Sequence, residues 1–358
     1  MKSLKLHFTL ILLLFTQSLL FSQENENIFA GIEIGSKGIK MSVIDVYNIK
    51  KGGFTIKSYW TENVAIAKGI SIDGNLAQED IDRAANVVVT NYKKIKNEIG
   101  VTDANIFIVG SSGVAMAKNT QALIDKVKAT TGKDMEFIDA QMEGKMLLKG
   151  CIPPVDYKDS MVLDIGGGNT KGGYVDVYNS ENFVFFPLSL NYGTITLTEA
   201  VLKKTRNDEI NEFNIKSFGF LPTLREQVNA MYASKPTALE KEKVYMSGGA
   251  VWAFYTLYYG GAKEAFNEFK LEDVINYDAI LKNNFKKFEE QAKTDKEAEK
   301  VLKTYSQKYL ISGSNILLVC LEAIPDINGK KLYFAKEGQI AWLVSYVADR
   351  SKKVKKIY

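Results

Sequence analysis

The sequence predicts an α/β protein built of two similar halves. Two of its segments are variants of one another: GIEIGSKGIKMSVIDV at residues 31–46 and VLDIGGGNTKGGYVDV at residues 162–177, which align without a gap. Each is typical of an apolar strand that ends in an acid, a glycine turn and a second strand that ends in Asp-Val. Strand-like and helix-like segments alternate elsewhere in the first half, which indicates a partly parallel sheet.

Local patterns predict the remaining elements of the first half. Residues 53–66 alternate as a strand does, and residues 79–98 repeat apolar side chains at helical spacing. The helical face consists of Ile81, Ala84, Val88, Tyr92 and Ile95. The other predictions are a strand at 105–109, a helix at about 120–130, a strand at 135–138 and a helix at about 141–150. Pro153, Pro154 and the polar residues 156–160 mark a domain boundary.

The second half opens with its own hairpin and is then mostly helical. A strand at 243–246 runs through Ser247-Gly248-Gly249 directly into a helix. Further predictions are strands at 182–188 and 331–334 and helices at 208–231, 250–258, 271–292, 295–321 and 339–349. We therefore expect a first domain at 28–152, a second at 158–335, and a C-terminal helix at 336–350 that packs back on the first.

The two hairpin tips suit a phosphate chain. Each offers backbone N–H groups, which bind phosphate, beside one carboxylate, which suits a hard cation. The alternative is that the glycines only permit tight turns, but recurrence of an acid at the same strand end favours a clamp. The Gly248-Gly249 pair is either a connector or a ligand-contacting loop, because amides at a helix start accept anions.

The N-terminus reads as a secretory signal. Lys2 and Lys5 precede a largely apolar run at 8–20 that is too short for a membrane span of about 20 residues. We expect a signal peptide at 1–23, cleaved near Ser22 or Gln23. The mature protein is then secreted or periplasmic and has no stable membrane insertion.

Removal of the signal also removes His7, the only histidine. A mature chain without imidazole excludes Ser-His-Asp catalysis, phosphohistidine chemistry and histidine-bound zinc. Cys151 and Cys320 cannot form a zinc site alone, so any metal is bound by oxygen: magnesium, calcium or manganese. The two cysteines could pair as a disulfide in an oxidising compartment, although the apolar run around Cys320 favours a buried free thiol.

Charge gives no support to nucleic-acid binding. The formal charge is +4 with Lys2 and Lys5, and the mature chain keeps 44 basic residues against 42 acidic ones, a net +2. Four of the 46 basic residues are arginine, which limits bidentate gripping of phosphate by guanidinium.

Four stretches together carry a family resemblance: IEIGSKGIKM, VGSSGVAMAKNTQALIDKVKATTGKDMEFIDAQMEGKMLLKG, LDIGGGNTK and MSGGA. They resemble the superfold of actin, heat-shock chaperone ATPases and sugar kinases, and within it the exopolyphosphatase / guanosine pentaphosphate phosphatase (Ppx/GppA) family. The resemblance covers most of residues 28–350. It implies two ribonuclease H-like (actin-like ATPase) domains with a cleft between them.

The resemblance also implies a site. Glu143 matches the family's catalytic base; the alternative is a surface helix glutamate. Glu33 and Asp164 would position magnesium or manganese. The implied phosphate-binding residues are Gly35, Ser36, Lys37, Ser111, Ser112, Gly166, Gly167, Gly168, Asn169, Gly248 and Gly249. The implied partner is a polyphosphate or nucleotide substrate, and a homodimer stays open.

Three residues depart from the family's pattern. Glu33 stands where aspartate is usual, which moves the carboxylate by about one methylene. Lys171 stands where the family commonly has an acid, and Ala115 replaces an arginine that contacts phosphate. Lys37 and Lys40 offer replacement charge, but an ammonium does not reproduce a bidentate fork.

The favoured interpretation is an exported phosphoanhydride hydrolase resembling exopolyphosphatase. An apyrase-like extracellular nucleoside di- or triphosphatase is the enzymatic alternative. Lys171 and Ala115 favour a third interpretation, a binding protein of the same fold without turnover. A kinase is the least favoured, because ATP is scarce outside the cytoplasm.

Overall fold

The computed structural model describes residues 27–48, 53–70, 72–177 and 183–354. The predicted signal peptide at 1–23 lies outside the described residues. Within the described ranges, no helix combines the length and the apolar character needed to cross a membrane. Cys151 and Cys320 are both buried and free.

The first half contains a five-stranded sheet. Its strands are β1 Ile28–Ile34, β2 Gly38–Asn48, β3 Gly53–Asn63, β4 Ile106–Gly110 and β5 Met135–Phe137. They lie in the order β3-β2-β1-β4-β5, with β1, β2 and β3 antiparallel and β4 and β5 parallel to β1. The helices are α1 Gln78–Lys93, α2 Ser112–Ala115, α3 Thr120–Thr131 and α4 Ala140–Cys151.

The second half contains a six-stranded sheet. Its strands are β6 Ser160–Ile165, β7 Thr170–Val177, β8 Phe183–Leu190, β9 Lys243–Ser247, β10 Phe266–Phe269 and β11 Lys331–Ala335. Their order is β10-β11-β9-β6-β7-β8. The helices are α5 Thr194–Leu202, α6 Ile210–Ala233, α7 Gly249–Tyr259, α8 Leu271–Asn283, α9 Lys286–Ala292, α10 Lys296–Thr304, α11 Gln307–Glu322 and α12 Gly338–Val354.

The two sheets repeat one topology. In each, a hairpin continues into a third antiparallel strand, and two parallel strands follow on the other side of the first strand. The repeat extends to register: Glu33 pairs with Lys40 on β2, and Asp164 pairs with Lys171 on β7. The duplicated α/β fold predicted from the sequence is confirmed.

Helices α4 and α12 join the two sheets. Helix α12 packs on β1, where the Cβ that Gly31 lacks would lie 2.5 Å from the Val347 side chain. Helix α4 packs against β6, β7 and β8 and crosses α12 where Gly150 meets Ala341. The core between the sheets includes buried Leu147 and Trp342. The C-terminal residues thus stabilise the first sheet.

Two predicted helices are each broken into two. The segment predicted at 271–292 divides at Asn284, whose backbone leaves the helical region with φ −149° and ψ 48°. The segment predicted at 295–321 divides at Tyr305, which is extended with φ −125° and ψ 124°. Apolar periodicity continues across both breaks, so the sequence pattern does not reveal them.

Three elements were not predicted: the four-residue helix α2, helix α5 and strand β10. Helix α5 begins TITLT, and β-branched residues have lower helix propensity, so its tertiary contacts override the local preference. Strand β10 has four residues and pairs antiparallel with β11 at the sheet edge. Helix α5 and strand β10 lie in the second half, and α2 lies in the first.

Candidate active site

The tips of the two duplicated hairpins meet in this structure. Ser36, at the first tip, lies against Gly168 of the second tip and Gly113 at the start of α2. A Cβ on Gly168 would lie 2.6 Å from Ser36 Oγ and 2.8 Å from the Gly113 carbonyl oxygen. Contacts this short exclude any side chain, so glycine lets the tips approach.

The second tip is oriented by the start of α5. The carbonyl groups of Gly166 and Gly167 accept hydrogen bonds from the amides of Thr194 and Ile195 at 2.9 and 2.8 Å. The Gly168 carbonyl accepts a bond of 2.8 Å from the Thr196 hydroxyl. Because these peptides are trans, the N–H groups of residues 167–169 point away from α5. The phosphate-binding nest that the sequence suggests stays a prediction for these amides.

The first tip is held in the same manner. The Gly35 amide donates to the Gly38 carbonyl at 2.9 Å and closes the turn. The carbonyls of Ser36 and Lys37 accept from the amides of Ala67 and Val64 at 3.3 and 3.0 Å. The amides that follow those carbonyls therefore point to the opposite side of the loop.

Glu143 lies in the first turn of α4 and is fully buried. The helix begins at Asp139, whose carboxylate accepts from the Met142 amide at 2.7 Å and caps it. Glu143 Oε2 accepts from the Ser112 amide at 2.8 Å. The alternative of a surface helix glutamate is therefore excluded. Ser112 is expected to bind phosphate, but its amide is occupied by the Glu143 carboxylate.

Lys171 bridges two carboxylates in the cleft. Its Nζ lies 2.7 Å from Asp164 Oδ1 and 3.0 Å from Glu143 Oε1, and all three side chains are buried. Burial lowers the pKa of Lys171, but the charges of Asp164 and Glu143 outweigh burial and raise the pKa well above its ordinary value. Lys171 is thus a permanent cation.

Glu33 occupies the equivalent position in the first sheet. Its Oε1 accepts from Lys40 Nζ at 3.2 Å, and its Oε2 is buried without a hydrogen-bond partner. Burial raises the pKa of Glu33 to about 7; Lys40 lowers it, and the nearby Glu143 raises it further. This carboxyl is therefore poised to gain or lose a proton near neutral pH.

The surroundings of the carboxylates show whether protein groups alone could hold a metal ion. Within the described part of the chain, no three His, Cys, Asp or Glu side chains are grouped to hold a metal ion. The two expected ligands, Glu33 and Asp164, each lie opposite a lysine. A metal site made from protein groups alone does not fit this arrangement.

The late glycine loop contacts the cleft. Gly248 precedes α7 with φ +95°, a conformation that favours glycine, and its missing Cβ would lie 2.4 Å from the Ile165 carbonyl oxygen. The hydroxyl of buried Tyr305 fills the space where Gly249 would carry a Cβ. Burial, then the charge of Asp164, raises the pKa of Tyr305, which keeps its proton.

Tyr305 was missed by the sequence analysis, because it lies inside a segment predicted as continuous helix. The rings of Tyr305 and Tyr309 both make cation–π contacts with Lys37. The Lys37 Nζ lies 4.5 Å from the Tyr309 ring centre and 5.8 Å from the Tyr305 ring centre. Burial and the neighbouring Lys68 lower the pKa of Lys37. The two helix ends at the break thus contribute aromatic groups to the cleft edge.

Other predicted residues span the cleft or adjoin it. Asn169 Nδ2 donates to Ser112 Oγ at 2.9 Å, which links the second half to the first. The Ser111 amide donates to the Ile34 carbonyl and is occupied.

Ala115 is half-buried at the end of α2. Two surface pockets lie elsewhere: one includes Lys241, and the other adjoins β10.

Two duplicated sheets whose acid-glycine tips meet across a cleft define an α/β protein with two mixed sheets, of five and six strands. The chain belongs to the Ppx/GppA phosphatase family, whose sequence profile matches residues 45–325. Enzymes of this family generally use a divalent metal ion. The family predicted from the four sequence stretches is thus confirmed.

Relatives agree with this placement. The chain is 24% identical over 197 residues to the guanosine-5'-triphosphate,3'-diphosphate pyrophosphatase of Aliivibrio fischeri, a match that takes in 55% of this chain and 37% of the relative. The chain thus matches about a third of that relative's length.

Solved structures are similar in fold. A Ppx/GppA family member from Aquifex aeolicus has a TM-score of 0.63 at 20% identity, with 92% of this chain and 99% of that chain covered. An exopolyphosphatase from Cytophaga hutchinsonii has a TM-score of 0.66 at 16% identity, with 89% and 98% covered. At these identities the likeness concerns the fold alone.

Proposed function

We propose that the protein is a phosphoanhydride hydrolase that releases terminal phosphate from polyphosphate. The observation that carries the proposal is the buried Glu143 carboxylate, which the Ser112 amide and Lys171 orient where the two glycine tips meet. Membership of a phosphatase family supports the reaction class. The Aliivibrio fischeri relative, whose name gives a guanosine polyphosphate as its substrate, supports a substrate that carries a phosphate chain.

The site residues suit attack of water on a phosphoanhydride. Such a reaction needs mainly positioning and charge stabilisation. The amides of residues 167–169 would bind the terminal phosphate oxygens, with Lys171 as counter-charge. Glu143 would take a proton from the water whose oxygen bonds to phosphorus, and the bridging P–O bond would break. The shortened phosphate chain leaves with the bridging oxygen.

One structural feature favours a different function. Lys171 lies 3.0 Å from the oxygen with which Glu143 would accept a proton. The ammonium occupies the side of that oxygen to which the attacking water would donate, and this supports a protein that binds phosphate chains without turnover. In that case the parent protein binds polyphosphate or nucleotide and releases no phosphate.

Export forms part of the proposal. Lys2, Lys5 and the apolar run at 8–20 support a cleaved signal and a secreted or periplasmic protein. An extracellular nucleoside polyphosphatase is then the alternative enzyme. Cleavage is tested by N-terminal sequencing of the protein purified from culture medium or periplasm.

Phosphate release by residues 24–358 tests the reaction. Polyphosphate, ATP, ADP and guanosine tetraphosphate are offered, and the Glu143→Gln variant is compared with the parent. We expect a loss of about two to four orders of magnitude, the usual range for a positioned general base.

Glu79→Gln is the matched control, because that side chain is exposed at the first turn of α1. It should keep the parent rate. Parent rates in Glu143→Gln on every substrate cleaved would refute Glu143 as the base. Tight binding by the parent with no release would establish the non-catalytic alternative.

A further inference from the structure

The cleft holds three buried carboxylates, and one lysine stands between two of them. Glu33, Glu143 and Asp164 are at most 6% exposed, and Lys171 is 6% exposed. Carboxylates withdrawn from water need a counter-charge, because an unpaired buried charge is costly. Lys171 supplies it by direct ion pairs to Asp164 and Glu143.

The duplicated lysine in the first sheet does not have this position. Lys40 pairs with Glu33 alone, at 3.2 Å, and its side chain is 23% exposed. Lys171 reaches two carboxylates from separate elements, since Glu143 comes from α4 and Asp164 from β6. The packing of α4 against β7 brings Glu143 within its reach.

A divalent ion bound between the same two oxygens would coincide with this ammonium. Magnesium approaches carboxylate oxygens to about 2.0–2.1 Å. Nζ already lies 2.7 and 3.0 Å from Asp164 Oδ1 and Glu143 Oε1, so it fills the space between them. Repulsion between an ammonium and a dication in a desolvated cleft opposes their coexistence.

We propose that Lys171 is the resident cation of this cleft and stands in place of a protein-bound divalent metal ion. The phosphate chain is then recognised by a fixed ammonium and by loop amides, and its binding needs no metal. That Lys171 takes the place of a metal ion does not depend on the proposed function. That a phosphate chain binds without metal rests on the proposed function.

Manganese binding to the protein alone tests the first statement. Free Mn²⁺ is followed by electron paramagnetic resonance during titration of the parent, Lys171→Gln and Lys171→Met, each checked for folding by thermal unfolding. We expect no specific site in the parent. Both variants should bind one Mn²⁺ at least about tenfold more tightly, because the freed carboxylates then face each other.

Lys243→Gln is the matched control. Lys243 also pairs with an aspartate, Asp156, but at the opposite end of the second sheet, so its removal should create no Mn²⁺ site. One tight Mn²⁺ in the parent overturns the proposal, and so does the absence of any gain in folded Lys171 variants. If both variants fail to fold, the parent titration decides alone: a site overturns the proposal, and none supports it.

Calorimetry with inorganic triphosphate tests the second statement. The parent should bind it equally well in EDTA and in magnesium. Lys171→Gln should lose at least about tenfold in EDTA, the loss of a charge-assisted contact, and regain affinity with Mn²⁺. Triphosphate binding by the parent that EDTA abolishes overturns the proposal.

The two proposals fail separately. A parent protein that releases phosphate only when Mn²⁺ is added overturns the resident-cation proposal and leaves the hydrolase intact. A parent protein that binds triphosphate in EDTA but releases no phosphate, with Glu143 variants that behave in the same way, overturns the hydrolase proposal. That result leaves the resident-cation proposal intact.

Discussion

Glu33 is a cleft residue whose pKa is set by burial and by neighbouring charges. One of its oxygens has Lys40 as a partner and the other is buried without any. Burial raises its pKa from 4.5 to about 7. A neutral Glu33 reduces the negative charge near Glu143, so protonation of Glu33 also alters the electric field in which a phosphate chain would bind.

This shift predicts a pH-dependent stability. Between about pH 4.5 and 7 the native protein holds a proton that the unfolded chain has lost, so the free energy of unfolding falls as pH rises and levels off above 7. Glu33→Gln removes this dependence, which amounts to about 3 kcal/mol at most. Urea unfolding from pH 4.5 to 8 in EDTA measures it, with Glu79→Gln as the exposed control. Parallel pH profiles for the parent and Glu33→Gln would contradict the prediction.

The two hairpin tips can meet only with glycine at position 168, because the close contacts there include backbone atoms. A Cβ on Gly168 would lie 2.8 Å from the Gly113 oxygen and 2.9 Å from its Cα. Backbone atoms cannot swing away as a flexible side chain does. The hairpins must therefore separate to admit even one methyl group.

Gly168→Ala is expected to impair activity and leave most of the fold intact. A displacement of about 1 Å at a positioned phosphate typically costs about a hundredfold in rate, so we expect phosphate release to fall by ten- to a hundredfold. The matched control is Gly219→Ala in α6, where a new Cβ meets nothing within 4 Å. That control should keep the rate and gain about 0.5–1 kcal/mol of stability. Equal rates in the parent and both variants would show that tip contact is irrelevant.

At the scale of the whole molecule, the two halves are closed on each other. Asn63 Nδ2 donates to Thr304 Oγ1 at 3.2 Å, from the end of β3 to the end of α10. Glu143 is fully buried and Asp164 is 6% exposed. We therefore expect a phosphate chain to reach these carboxylates only when the halves move apart.

Cross-linking the closed form should stop turnover. Asn63→Cys combined with Thr304→Cys is joined by a short, reducible bismaleimide, and we expect phosphate release to be lost and then restored by reductant. The natural cysteines do not interfere, because Cys151 and Cys320 are buried and burial raises their pKa values. Each single variant, treated in the same way, is the control. Full activity of the cross-linked protein would mean that the closed form admits substrate.

The sequence alone determined the duplicated hairpins and the helical face of α1. Both depend on local signals: a glycine turn between apolar strands, and apolar residues at helical spacing. The buried residues Ile81, Ala84 and Val88 lie where that spacing places them. The order of the four motif stretches also sufficed to predict the family.

Only the tertiary structure decided the roles of Lys171 and Tyr305. The sequence shows that a lysine replaces an acid, but Glu143 meets Lys171 because α4 packs on β7. Tyr305 enters the cleft because the chain becomes extended between α10 and α11. Periodicity reports which residues are apolar at a given spacing, whereas ion pairs and helix breaks depend on partners distant in the chain.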